Sequence, residues 1–168
     1  TGTFKAVKIR FRAADDSQDM FDFNIYMSPF DVWTGTVFQN ADGRAQLNTV
    51  DTTCTEPVVS VVNGSPFGAN STPPRDAADT REGYYEIFEM GTFNGGTPAN
   101  CGVINAAWGP IGAWPFVGNN IAGFAGVFGG LGGQAIYLNV GTSSTYVSEP
   151  TALVNYATAN VAGVQHFH

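Results

Sequence analysis

The chain has 168 residues and a mass of 17.8 kDa, and 43% of its residues are hydrophobic, enough to build the core of one domain. Seven basic residues stand against 14 acidic ones, net −7, the wrong balance for displacing counterions from nucleic-acid phosphates. Only 12% of residues are charged, and no apolar stretch of about 20 residues runs free of glycine or polar interruption, so no membrane-spanning helix is expected.

Near the start, Val7, Ile9 and Phe11 alternate with Lys8, Arg10 and Arg12, which puts apolar groups on one face of a strand and cations on the other. After the polar stretch 13–19, Phe21, Phe23, Ile25 and Met27 alternate with Asp22, Asn24 and Tyr26, so the two runs read as an antiparallel hairpin with Asp22 and Asn24 on the cationic face. Ser28-Pro29 ends it. A strand over 32–38, a turn at Asn40-Ala41-Asp42-Gly43 and a return over 44–50 make a second hairpin.

The β-branched run 58–62 reads as a strand buried on both faces, and the long segment 63–82, with Pro66, Pro73 and Pro74, as a covering loop or a functional excursion. Residues 83–93 resume as a strand carrying Tyr84, Tyr85 and Phe88, and 106–117 form an irregular connection with Trp108, Trp114 and Phe116. Two apolar strands over 121–128 and 134–140, joined by Gly129-Gly130-Leu131-Gly132-Gly133, look like a hairpin, and a last strand is expected over 151–156. Short strands with frequent turn signals predict an all-β chain: one antiparallel β-sandwich over 1–168, immunoglobulin-like or jelly-roll-like, with long loops.

Charge is distributed unevenly. From Met90 to His168 the sole formal charge is Glu149, and this half holds 15 of the 21 glycines. Soluble domains mix charges over their surface and avoid contiguous apolar area. Either the hairpin lies covered at the centre of a sandwich, or its outer face is buried against another copy of the chain. The second reading names Ile121, Phe124, Val127, Phe128, Ile136 and Leu138 as an assembly interface, with Lys8, Arg10 and Arg12 and the acids Asp15, Asp16 and Asp19 as complementary patches for neighbouring copies. The plainer reading of those charges is a solvated hairpin with local ion pairs.

The stretch Ala6-Val7-Lys8-Ile9-Arg10-Phe11-Arg12, followed by Asp22-Phe23-Asn24-Ile25-Tyr26-Met27-Ser28-Pro29-Phe30-Asp31-Val32-Trp33-Thr34-Gly35, resembles a family of uncharacterised exported bacterial cell-surface proteins. Asp51-Thr52-Thr53-Cys54-Thr55-Glu56-Pro57, Arg81-Glu82-Gly83-Tyr84 with Glu86, Glu89, Met90 and Gly91, and Asn100-Cys101-Gly102-Val103 are similar to later blocks of those proteins, which are longer at both ends. The resemblance covers most of 5–105 and implies export, paired cysteines and a role at the bacterial surface. The start at Thr1, without methionine or signal segment, likewise reads as a processed product. Cys54 and Cys101 match neither zinc spacing nor a redox pair. One disulfide between them would close a loop of about 48 residues and stabilise the fold by about 4 kcal/mol. Two unpaired buried thiols are the alternative.

Catalysis finds little footing. His166 and His168, the only histidines, close the chain; no nucleophile elbow or phosphate-binding glycine pattern occurs; and Glu86 and Glu89 are three apart in a predicted strand. Asp15, Ser17 and Asp19 begin like a calcium loop but lack its central glycine and final glutamate. No enzyme activity, cofactor or metal is therefore expected. The expected function is a structural subunit of an extracellular bacterial filament, sheath or matrix that polymerises with copies of itself. The alternative is a secreted lectin-like or adhesin module stacking surface glycans on Trp33, Trp108, Trp114, Tyr84 or Tyr85.

Overall fold

A computed structural model describes residues 2–93, 124–125 and 129–153. Strands β1 (Phe4–Ala13) and β2 (Asp19–Met27) form the expected antiparallel hairpin, with Ile9 opposite Phe23, Val7 opposite Ile25 and Phe11 opposite Phe21. β3 (Thr36–Gln39) and β4 (Ala45–Asn48) make the second hairpin, closed at Gly43, whose φ of +79° is the left-handed value glycine takes freely.

Three further strands complete the main sheet. β5 (Cys54–Glu56) pairs with β2, β6 (Gly83–Phe93) pairs with β1 along its whole length, and β7 (Phe124–Ala125) pairs with the end of β6. The order is β5-β2-β1-β6-β7, antiparallel throughout, so the chain is all-β as expected. β1 and β6 approach so closely at Gly83 that a β-carbon there would lie 2.1 Å from the Arg12 carbonyl oxygen, which accounts for glycine at the start of that strand.

The layer over the apolar face of this sheet is not a second large sheet among the described residues. It is the β3–β4 ribbon, a short helix and the segment after it. Leu47 of β4, Val62 and Phe67 join Ile9, Met20, Phe23 and Ile25 in one buried cluster, flanked by Phe11, Phe21 and Trp33. Phe67 lies 4.8 Å from the Phe11 ring and 5.4 Å from that of Phe21, centroid to centroid. The segment 63–82 is thus a cover. Gly68, at φ +67°, donates its N–H to Met20 and accepts from that of Arg75, lashing the segment to β2.

One expected strand is replaced. Residues 59–62 fall in the short helix α1 (Val59–Gly64), with Val58 as its N-cap, and only Val62 of the helix residues is buried. β5 already occupies the edge of β2, and Pro57 offers no N–H to extend that pairing. Asn63 then docks the helix on β4, accepting from the Thr49 N–H at 2.9 Å and donating to the Thr49 carbonyl at 3.0 Å. Tertiary hydrogen bonds and one buried valine outweigh the β propensity of the run.

Asp51 fastens the loop after β4. Its carboxylate accepts from the Thr53 hydroxyl at 2.6 Å, the Thr53 N–H at 2.8 Å and the Thr34 N–H at 3.2 Å. Partial burial alone would raise its pKa; those hydrogen bonds outweigh it and hold the group below the usual carboxylate range. A lowered folded-state pKa stabilises above the unfolded value of about 3.9, and that contribution fades as pH falls through the folded value. Thermal unfolding followed from pH 7 down to pH 2 should therefore show a shallower acid decline in Asp51→Asn than in the parent chain. Equal slopes would mean that these hydrogen bonds do not discriminate the ionised form.

Candidate assembly surface

β8 (Ala135–Asn139) and β9 (Ser144–Ser148) form a separate two-stranded ribbon. Its four-residue turn is closed by the Asn139 side chain, which accepts from the Thr142 N–H at 3.2 Å, while Ser143 takes a left-handed φ of +53°. Ile136 stands opposite Val147 and Leu138 opposite Thr145; on the other face Tyr137 stands opposite Tyr146, ring centroids 5.8 Å apart. Ile136 is 56% exposed and Leu138 71%, and Tyr137, Val140, Tyr146 and Val147 are exposed as well. No charged residue occurs between Gly129 and Ser148.

The expected hairpin between 121–128 and 134–140 is overturned on its second arm. Residues 135–139 pair with 144–148, a strand the sequence reading missed, while Phe124 and Ala125 extend the main sheet against Phe93 and Thr92. The turn after Asn139 brings its partner back within four residues, a shorter closure than the glycine linker allows, and the open edge of β6 takes the preceding segment. The alternation Ser144-Thr145-Tyr146-Val147-Ser148 between Gly141 and Pro150 was the signal for β9. The covered-centre reading fails for β8, whose side chains from Ile136 to Asn139 are exposed. Of the six expected interface residues, Ile136 and Leu138 share one exposed face and Phe124 belongs to a different sheet; Ile121, Val127 and Phe128 lie outside the described residues. Residues 151–153 form no strand, and the rest of that expected strand also lies outside.

The chain ahead of the ribbon is tied to β6 at Gly129. Glu89 is buried; its Oε1 pairs with Lys5 Nζ at 2.6 Å and its Oε2 accepts from the Gly129 N–H at 2.6 Å. At the opposite end of β6, burial, and then the nearby Tyr137 phenol, push Tyr85 above its ordinary pKa.

The charges expected to face neighbouring copies pair within the chain. Lys8 pairs with Asp22, Arg10 with Asp19 at 2.5 Å and Arg12 with Glu86 at 2.5 Å. Arg75, brought over by the 63–82 cover, reaches Asp15 at 2.9 Å and Asp16 at 3.0 Å. Strand register and the cover place each partner beside its opposite, so no two unpaired poles remain among these six. Lys8 is moreover 3% exposed, so the face read as solvated is closed there.

Cys54, opposite Tyr26 at the edge of the sheet, is not a free thiol; Cys101 lies outside the described residues. Trp33, half-buried, packs its ring against Phe23 at the margin of the core with centroids 5.5 Å apart, and its indole N–H is buried without a hydrogen-bond partner. Tyr84 is exposed and Tyr85 half-buried, while Trp108 and Trp114 lie outside the described residues, as do His166 and His168. Among the described residues no three of His, Cys, Asp and Glu gather as metal ligands, and no helix is long and apolar enough to cross a membrane. No protein family, curated protein or solved structure matches this chain.

Proposed function

We propose that this protein is a non-enzymatic structural subunit of an extracellular bacterial filament, sheath or matrix, built by polymerisation with copies of itself. The observation that carries the reading is the exposed Ile136–Leu138 face on a ribbon without charge. Burying such a face between copies removes apolar area from water at about 25 cal/mol per Å² and desolvates no ion. A ribbon of two strands is also marginal by itself in water and gains from a cover. In this reading export fits the resemblance of residues 5–105, and a Cys54–Cys101 disulfide would lock the subunit against unfolding outside the cell.

Light scattering with electron microscopy on the unreduced chain tests it. The parent chain should give ordered polymers or large rings, and Leu138→Asp should give a folded monomer of 17.8 kDa. A monomeric parent chain sinks the proposal, and so does a Leu138→Asp chain that polymerises unchanged.

A glycan-binding or adhesin role rests on one observation, the exposed Tyr137–Tyr146 ring pair, which offers a stacking surface. Glycan-array binding lost in Tyr146→Ala, by a chain that stays monomeric, would favour it.

A further inference from the structure

On the face of the main sheet opposite the apolar cluster, β1 and β2 bring together an amine, a carboxamide and a carboxylate. Lys8 stands directly opposite Asn24, and Asp22 lies two residues before Asn24 on the same face. Lys8 is 3% exposed and Asn24 5%. The Lys8 ammonium is ion-paired with Asp22 Oδ2, while Asn24 Oδ1, although buried, accepts no hydrogen bond. Buried carbonyl oxygens are ordinarily satisfied, so an orphan beside a buried lysine calls for a chemical reason.

We propose that Lys8 Nζ and Asn24 Cγ become joined by an amide cross-link that the folded chain forms unaided, with Asp22 moving the protons. Asp22 takes a proton from the Lys8 ammonium and leaves a neutral amine, which is the nucleophilic form. Nζ attacks the Asn24 carboxamide carbon, the new C–N bond forms, and the bond to Nδ2 breaks. One further Nζ proton passes to the departing nitrogen, which leaves as ammonia, and Asp22 keeps the first. An ammonium, a carboxylate and a primary amide thus become a secondary amide, a carboxylic acid and ammonia, with no oxidant or cofactor. Strand pairing holds the reactants side by side, which replaces an improbable encounter by an intramolecular step. Asp22, about one-third exposed, opens a way to solvent for the ammonia. The inference is independent of self-assembly.

Mass spectrometry of the folded, then reduced, full chain is the test. The parent should weigh less than its sequence by one ammonia, and tryptic digestion should yield a fragment in which the peptides bearing Lys8 and Asn24 are fused. Lys8→Met, Asn24→Ala and Asp22→Ala, each checked for fold by circular dichroism, should carry their sequence masses. A parent at its sequence mass overturns the proposal. Loss of one water also overturns it, because the acyl partner would then be Asp22. Ammonia loss persisting in folded Asp22→Ala would remove Asp22 from the reaction and overturn the mechanism.

Discussion

Phe23→Ala should destabilise the fold by about 3–5 kcal/mol, enough to threaten a domain of this size. Phe23 sits at the centre of the sheet, opposite Ile9, and its ring meets Phe21 at 5.6 Å and Trp33 at 5.5 Å, centroid to centroid. Ile25, Leu47 and Val62 share its cluster, drawn from three different elements. Truncation therefore leaves a cavity that none of them can fill without moving its own strand or helix. Urea unfolding should show a midpoint well below that of the parent with a similar slope. Val50→Ala, at a side chain that is 90% exposed, should change stability by less than about 0.5 kcal/mol. A Phe23→Ala cost below about 1 kcal/mol would mean that the ribbon and helix do not pack on the sheet.

Glu89→Ala should cost about as much, roughly 3–5 kcal/mol, for an electrostatic reason. It would leave the Lys5 ammonium buried without its carboxylate partner and strip the Gly129 N–H of its acceptor. Replacing both ends of the pair, Lys5→Met with Glu89→Leu, should recover most of the loss, because removing two buried charges together spares the desolvation of either. The bond to Gly129 would stay lost. Hydrogen exchange at that amide should accordingly be faster in both variants, whereas the stability loss should be large only in the single one. If the double variant is as unstable as Glu89→Ala, packing at these positions and not charge pairing is what matters.

Alternation in residues 7–12 and 21–27 identified the β1–β2 hairpin and its apolar face, because period-two patterning reports directly which side of a strand is buried, while the pairing of Ile9 with Phe23 and Lys8 with Asn24 emerged only in the folded hairpin. The aromatic run 83–93 likewise marked β6 with its observed bounds. Patterning failed where local preference met a tertiary competitor. The valines of 58–62 favour a strand in isolation, yet β5 held the sheet edge and Asn63 pinned the segment to β4 as a helix. The charged face of β1 looked solvated because alternation says nothing of what lies above a face.

For the candidate surface, the sequence by itself determined that the second half of the chain lacks charge and that Ile136 and Leu138 lie on one face of a strand, since both follow from residue identity and spacing. Only the tertiary structure decided which strand pairs with which: β8 with β9, β7 with β6, and Arg75 with the acids of the β1–β2 turn. Pairing is a competition among all available edges and partners in space, and no local pattern carries the positions of its competitors.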